Sequence, residues 1–158
     1  MKKLIVFIFA GILVGCSTSP VSREEAENIS DDRIYASFYK YSLPGTNKAK
    51  VIIVRDSGLL GGGLSVGFYV NGELISHIER GEFLELYLDE GENILGVLPE
   101  IIISSNPDSS DLVEQVLKVK SGNNYPFRIS INSGNGLILQ RTTQLWTSIL
   151  KVNLVFTD

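Results

Sequence analysis

The chain is short of the residues on which many kinds of functional site depend. Its 158 residues include one cysteine and one histidine. A single cysteine excludes an intramolecular disulfide and a cysteine-rich zinc site, and a single histidine leaves a multi-histidine metal site without ligands. Basic charge is also scarce, because 14 Lys and Arg stand against 18 Asp and Glu. Since nucleic-acid binding needs a basic surface, we predict no nucleic-acid partner, and we expect neither a metal nor a cofactor.

A long hydrophobic run is missing as well. The apolar stretch near the N-terminus covers only residues 4–14, whereas a membrane-spanning helix needs roughly 20 residues. Two lysines precede this stretch, and Gly15 and Cys16 follow it. A basic start, a short apolar run and a small residue before a cleavage point are the parts of a secretory signal peptide. We therefore predict a signal peptide over residues 1–15.

The residues Leu13-Val14-Gly15-Cys16 resemble the lipobox of bacterial lipoproteins. The resemblance implies that Cys16 is lipidated on sulfur and becomes the first residue of the mature chain. Several acyl chains, such as palmitate, hold a protein stably on a membrane, because each buried methylene contributes about 0.8 kcal/mol. In similar lipoproteins of Gram-negative bacteria an Asp after the cysteine favours the inner membrane, so Ser17 implies the outer membrane, facing the periplasm. The alternative is an ordinary signal peptide cut near Ser17.

The residues after the cysteine lack periodicity. Loss of the signal peptide leaves 12 basic and 18 acidic residues, so we expect membrane contact through the acyl chains and not through a basic surface. Residues 16–31 are predicted to form the lipidated cysteine and a flexible tether, since residues 17–22 are mostly Ser, Thr and Pro. Ser22 and Glu25 fit a capping box, which leaves open either one helical turn through Ile29 or disorder.

Residues 32–158 carry the pattern of an all-β domain, because apolar residues make up 44% of the chain and no long helical pattern appears. Asn71-Gly72 is the strongest hairpin signal, since a type I′ turn needs positive φ at both residues. Eight segments have the pattern of strands: 33–39, 51–54, 64–70, 73–78, 83–88, 93–97, 125–131 and 137–142. We predict a sandwich or small barrel of about eight to nine short antiparallel strands.

Three features of this domain leave alternatives open. Residues 111–120 fit a helix or a strand, and their branched residues favour the strand. Pro99 predicts a bulge, an edge or a break in its strand. The apolar stretch 145–156 is interpreted as a further strand.

Few residues suggest chemistry. His77, beside Ser76 and Glu79, could serve as a general base, but an isolated structural histidine fits better because no nucleophile motif accompanies it. The glycine-rich residues 56–63 lack the Lys and the following helix of a phosphate loop. Acidic residues are interpreted as solvated strand edges and turns; they are Glu79, Glu82, Glu85, Asp89, Glu90 and Glu92. Most aromatic residues are expected in the core, although two or three tyrosines could form a binding patch.

The blocks Phe68–Ile75, Gly81–Leu84 and Leu88–Ile94 resemble the PEGA-like β-domains of bacterial lipoproteins, a family of unknown function. Arg33–Tyr35 and Val119–Tyr125 fit the same pattern, so the resemblance spans about residues 32–132. The family carries no catalytic residues, which implies that the protein is not an enzyme.

Together these patterns predict a membrane-anchored envelope lipoprotein that acts as a non-catalytic binding or assembly module for another envelope protein. One alternative is a module that binds peptidoglycan or another carbohydrate. A second is a small envelope hydrolase that uses His77 with a carboxylate such as Glu79.

Overall fold

A computed structural model describes residues 18–22, 25–58, 63–101, 111–133 and 136–143, except for the side chain of residue 101. The predicted signal peptide, the lipidation site Cys16 and the predicted strand 145–156 lie outside the described residues. Within the described residues, no helix has the length and apolar character needed to cross a membrane.

Nine β-strands and two short 3-10 helices form the regular structure of these residues. The strands are β1 Glu27–Asn28, β2 Lys48–Arg55, β3 Leu64–Val70, β4 Glu73–Ile78, β5 Glu82–Asp89, β6 Gly91–Ile101, β7 Val113–Val119, β8 Asn124–Asn132 and β9 Gly136–Arg141. The 3-10 helices are Asp31–Arg33 and Ala36–Tyr41. The prediction of an all-β domain is confirmed, and the ambiguous segment 111–120 supplies a strand.

The strands form two sheets, between which the chain alternates. The five-stranded sheet has the order β1-β5-β2-β8-β9, and the four-stranded sheet has the order β4-β3-β6-β7. The expectation of antiparallel strands throughout is wrong for two pairs, because β1 runs parallel to β5 and β2 runs parallel to β8. Whole strands of the other sheet separate β2 from β8 in sequence, so no tight hairpin forces those two into opposite directions.

The hydrophobic core lies where the inner faces of the two sheets meet. Alternation along β3 turns Val66, Phe68 and Val70 inward, and all three are fully buried. Other fully buried core residues include Ile53, Leu86 and Phe127 from the five-stranded sheet and Ile78 and Leu95 from the four-stranded sheet. The inner face of each sheet therefore contributes large buried side chains to one hydrophobic core.

The hairpin predicted at Asn71-Gly72 is confirmed. Asn71 has a φ of 51° and Gly72 a φ of 80°, so both residues take the left-handed conformation that the turn requires. The Asn71 amide also docks on β6, because its Oδ1 accepts a hydrogen bond of 2.8 Å from the Ile94 N–H. The turn thus connects β3 to β4 and also holds β6 in register.

The strand predicted over 33–39 is wrong, because most of this segment is the 3-10 helix Ala36–Tyr41. The core-facing residues are Ile34, Phe38 and Tyr41, which are spaced by four and three residues. The same residues also alternate between apolar and polar side chains, and this alternation is the pattern that predicts a strand. Arg33 ends the first 3-10 helix, and only Ile34 and Tyr35 are extended. Ile34 bridges Ser76 and thereby covers the edge of β4.

Pro99 does not interrupt its strand. β6 continues to Ile101 and pairs with β3 from Leu95 to Ile101, with Pro99 opposite Val66. The pairing of β6 with β7 ends at Val97, so on that side Pro99 has no described strand neighbour. Of the three alternatives, the edge position is the one observed, since a proline cannot donate to a second neighbouring strand.

The segment expected to be a flexible tether is instead packed on the five-stranded sheet over its described part. Val21 is only 4% exposed and joins Ile52, Val54 and Phe83 in a second, smaller hydrophobic cluster on the outer side of that sheet. β1 adds two residues to the edge of β5. Because these contacts bury apolar surface, the folded region includes residues 18–22 and 25–31 as well as the domain predicted from residue 32.

Half of the capping box at Ser22 forms, without a helix behind it: the Glu25 carboxylate accepts a 3.2 Å hydrogen bond from the Ser22 N–H. The Ser22 hydroxyl donates to that carboxylate at 3.1 Å instead of accepting from the Glu25 N–H, and the Ala26 N–H donates to the Ser22 carbonyl at 3.0 Å. β1 begins at Glu27, so no second helical turn follows. Of the two alternatives for this segment, the hydrogen bonds of its described residues fit the single turn, which stops before Ile29.

Candidate binding face of the four-stranded sheet

The four-stranded sheet has one face in the core and one face turned away from it, which we call the outer face. In each strand the residues that alternate with core residues lie on this face. They include Gly67 and Tyr69 of β3, His77 of β4, Ile94, Gly96 and Glu100 of β6, and Glu114, Val116 and Lys118 of β7. The outer face therefore carries both polar and apolar side chains suited to binding.

His77 lies at the centre of a group that we call the polar-aromatic cluster: Tyr35, Tyr69, His77 and Glu100. The Tyr35 hydroxyl lies 2.9 Å from His77 Nδ1, and the two rings meet edge to face with centroids 5.3 Å apart. On the other side of the imidazole, Nε2 lies 2.6 Å from a carboxylate oxygen of Glu100, without meeting hydrogen-bond geometry. The histidine is therefore held between a phenol and a carboxylate.

Gly67 makes this arrangement possible. His77 belongs to β4 and Glu100 to β6, and β3 runs between them. Strands two apart are separated by about 10 Å, so their side chains meet only by reaching across the middle strand. A Cβ on Gly67 would lie 3.0 Å from the Tyr69 ring and 3.1 Å from Glu100 Oε1. The absence of a side chain at Gly67 therefore leaves the space that Tyr69 and Glu100 occupy.

The Glu100 carboxylate favours one tautomer of a neutral His77 imidazole. Its negative charge attracts an N–H dipole, so the ring proton is best placed on Nε2. Nδ1 is then free to accept a hydrogen bond from the Tyr35 hydroxyl. Partial burial raises the pKa of the Tyr69 phenol above its usual value, and the nearby Glu100 carboxylate and Tyr35 add to this effect. Tyr69 consequently stays neutral to higher pH than an ordinary tyrosine.

The histidine and glutamate proposed as a general-base pair are not brought together. Glu79 instead lies 3.5 Å from Arg33, while the carboxylate beside His77 is that of Glu100. Ser76 aligns with the core residue Phe68, and its hydroxyl is buried with no hydrogen-bond partner among the described residues. The neighbour that could have been a nucleophile is therefore on the opposite side of the strand.

A second group on the outer face is an apolar strip formed by Ile94, Leu112 and Val116. Ile94 and Val116 are directly opposite each other on β6 and β7, and they are 40% and 54% exposed. Leu112, 37% exposed, reaches over Gly96, because a Cβ there would lie 3.4 Å from its Cδ1. Three large apolar side chains thus lie at the surface on a rigid sheet.

The charged residues around the strip are mostly acidic. Glu114 and Glu100 lie on the same face as the strip. Glu92 and Lys118 are opposite each other, two residues from Ile94 and Val116 along β6 and β7. Three carboxylates and one ammonium give the face a negative balance. A partner that covers the strip would therefore be favoured if it carries basic side chains at its rim.

The predicted acidic cluster is divided among separate contacts. Glu82 is buried, contrary to the expectation of a solvated edge, because both of its oxygens accept hydrogen bonds from the Arg33 guanidinium. Glu85 pairs with Lys50 at 2.7 Å. The exposed Glu90 accepts hydrogen bonds from Ser121, which lower its pKa. Among the described residues, no group of three or more His, Cys, Asp and Glu is placed to hold a metal ion.

Two other features bear on the predicted sites. The glycine-rich residues 56–63 lead into the strand β3 and not into a helix, as expected; positions 59–62 lie outside the described residues. A cleft of about 450 Å³ lies between the 3-10 helices and β5, with Ile34, Phe38 and Phe83 among its lining residues. No sequence pattern indicates this cleft, because its walls come from segments that meet only in the fold.

Comparison of the chain with family models, with curated proteins and with solved structures finds no match in any of the three.

Proposed function

We propose that this protein is a lipid-anchored lipoprotein of the bacterial cell envelope whose folded domain is a non-catalytic binding or assembly module. The anchoring part rests on the sequence: a short apolar run over residues 4–14 and the Leu13–Cys16 motif. Acyl chains on Cys16 would attach the mature protein to a membrane, and Ser17 favours the outer membrane, facing the periplasm. The resemblance to PEGA-like domains supports the same class of protein.

For the domain itself we propose a sandwich of two open sheets. Within the described residues, no ladder joins one sheet to the other, and each sheet ends in two separate strands. The common core between the inner faces supports this packing. The arrangement leaves the outer face of the four-stranded sheet as a broad surface, whereas the N-terminal segment covers part of the outer side of the five-stranded sheet.

We propose that the outer face binds another envelope protein, and the exposed apolar strip is the observation that carries this proposal. Contiguous large apolar side chains on a rigid surface are typical of protein interfaces, whose centre is apolar and whose rim is polar. The strip is flanked by Glu92, Glu100 and Glu114, so the partner would present apolar side chains bordered by Lys or Arg. A binding role also fits His77, whose side chain contacts a carboxylate and a phenol and has no nucleophile on its side of the strand.

The test is photocrosslinking in cells that produce the full-length, tagged protein. A photoreactive residue at position 116 should capture one reproducible envelope protein, whereas the same residue at position 43 should not. Leu43 is the matched control because it is 71% exposed and lies in the segment before β2, away from the strip. With the photoreactive residue at position 94, Val116→Asp should abolish the capture and Leu43→Asp should preserve it. Cys16→Ser should release the protein from the membrane and reduce the capture.

Two results would contradict the proposal. Equal capture from positions 116 and 43 would mean that the strip is not the binding surface. Persistence of the same crosslinked protein after Val116→Asp, tested from a probe at position 94, would lead to the same conclusion. Direct binding of the purified partner to the wild-type domain, and not to Val116→Asp, completes the test.

A second candidate function, binding of peptidoglycan or another carbohydrate, is supported by the polar-aromatic cluster. Aromatic rings beside carboxylate and imidazole groups can stack on a sugar and hydrogen-bond its hydroxyls. This candidate predicts that the domain co-sediments with cell-wall sacculi and that Tyr35→Ala weakens the retention. Tyr39→Ala is the matched control, since Tyr39 is 72% exposed outside the cluster. Loss of function in His77→Ala with retention intact would instead favour the hydrolase.

A further inference from the structure

The first described residues are firmly held at one end of the two sheets. The Thr18 N–H donates to the Ile131 carbonyl at 3.1 Å, and its hydroxyl accepts a hydrogen bond of 3.1 Å from the Ile131 N–H. Ser19 exchanges two backbone hydrogen bonds with Ser57, of 2.7 and 3.0 Å. Thr18 is also only 8% exposed. Position 18 is therefore part of the folded domain and not of a linker.

A buried ion pair strengthens this attachment. The Thr18 hydroxyl donates to the Asp56 carboxylate at 3.2 Å, and Arg128 donates to both oxygens of the same carboxylate through its Nε at 2.8 and 2.9 Å. The Asp56 side chain is fully buried. A charge-assisted network of this kind keeps Thr18 in one position, because releasing it would leave a buried acceptor short of a donor.

We propose that the acyl chains on Cys16 hold this end of the domain directly against the lipid bilayer, so that the domain has a single orientation on the membrane. We call it the anchor end; Thr18, Ser57 and Ser133 lie there. The inference rests on the proposed lipid anchoring. Two residues of fully extended chain span at most about 7 Å, so Cys16 cannot lie far from Thr18. A domain joined to its membrane anchor by so short a link cannot tumble freely.

The opposite end, which we call the far end, is then directed away from the membrane. β8 has nine residues and runs from the far end to the anchor end, so the two ends are about 30 Å apart. The far end carries Asp89, Glu90 and Glu92, which are all exposed. Lysines lie at the same end, since Lys48 aligns with Asp89 and the charge of Lys120 acts on Glu90. The orientation therefore rests on the short link.

The test measures energy transfer from the protein to the membrane. Lipidated protein is purified and placed in vesicles of phosphatidylethanolamine and phosphatidylglycerol that contain a headgroup-labelled acceptor lipid. A donor dye is attached at Ser133→Cys, at the anchor end, or at Thr46→Cys, at the far end. Both positions are exposed, and the acylated Cys16 is the only other cysteine, so each variant has one free thiol. Transfer should be high from position 133 and several-fold lower from position 46.

The control inserts twenty Gly and Ser residues between Ser17 and Thr18, which should bring the two transfer efficiencies close together. Equal transfer from positions 133 and 46 without the insertion, in protein whose mass shows acylated Cys16, would overturn the orientation and leave the lipid anchoring intact. Protein with an unmodified Cys16 that does not bind the vesicles would overturn the anchoring and the orientation with it. The two failures are therefore distinguishable.

Discussion

At the scale of single residues, Gly67 shapes the candidate site, because side chains from β4 and β6 meet across it. Glu100 is the charged member of this meeting and contributes to the raised pKa of Tyr69, after burial. We predict that Glu100→Gln lowers the Tyr69 pKa towards the ordinary value near 10. A titration followed by the ¹³Cζ shift of the tyrosine ring measures it, and the Tyr125 titration should not move.

The same shift has a consequence for stability. A tyrosine whose pKa is higher in the folded than in the unfolded protein keeps its proton longer when folded, so its favourable contribution is lost as pH rises above about 10. Glu100→Gln should make that loss smaller, as measured by urea denaturation between pH 9 and 11. An unchanged loss in the variant would mean that Glu100 does not act on Tyr69.

A second residue-scale prediction concerns Asp56. Asp56→Asn should lower the free energy of unfolding by about 3–5 kcal/mol, because it leaves the Arg128 guanidinium, only 15% exposed, without its carboxylate. Urea denaturation monitored by circular dichroism measures the loss. Glu85→Gln breaks the more exposed pair with Lys50 and serves as the control, with an expected loss of about 1 kcal/mol or less. Equal losses in the two variants would contradict the structural role of Asp56.

The sequence could not reveal the polar-aromatic cluster. In the sequence His77 is a candidate because it is the only histidine, and local spacing offers only near neighbours such as Glu79 as its partner. The actual neighbour, Glu100, is 23 positions away and belongs to a strand that is not adjacent to β4. Pairing of this kind depends on sheet order and on a glycine in the middle strand, and neither is encoded in local spacing. The apolar strip was missed for the same reason.

At the scale of elements, the hairpin between β3 and β4 depends on one glycine. Gly72→Ala should cost about 1–2 kcal/mol of folding free energy, because its φ of 80° is unfavourable for a residue with a Cβ. Thermal denaturation measures the change. Gly63→Ala is the matched control: a Cβ there meets nothing within 4 Å, and its backbone is outside the left-handed region. We expect at most about 0.5 kcal/mol for the control, so a similar loss in both variants would contradict the assigned turn.

Elements with a regular two-residue period were predictable, whereas segments with mixed signals were predicted correctly only in part: 111–120 contains the favoured strand, and 33–39 does not form one. β3 and β4 have the predicted bounds, since their alternation is bounded by glycines and by a turn with one allowed conformation. The segment 33–39 has both a two-residue alternation and a helical spacing of apolar residues. It forms mostly 3-10 helix, because that structure packs Phe38 and Tyr41 against the core. Residues 18–22 and 25–31 look like a tether because apolar side chains are sparse there. Two buried apolar residues, Val21 and Ile29, and the hydrogen bonds of Thr18 nevertheless attach them to the sheets.

At the scale of the whole molecule, the N-terminal segment acts as part of the domain. Val21→Ala should lower the free energy of unfolding by about 2 kcal/mol, because it removes two buried methyl groups from the cluster on the five-stranded sheet. The control Val116→Ala makes the same change at a 54% exposed position and should have an effect within about 0.5 kcal/mol. Chemical denaturation of both variants gives the comparison; a neutral Val21→Ala would indicate a true tether.

The parallel pairing of β2 with β8 also affects how the chain folds. β2 is the middle strand of its sheet, and Lys50 pairs with Asn124, 74 positions later. A chain made or exported from its N-terminus must therefore emerge to residue 124 of 158 before that sheet can close. Contacts between such distant residues slow folding to the range of milliseconds to seconds. Until then the branched side chains of β2 stay accessible to water, because β2 is synthesised long before β8, its second neighbour in the sheet.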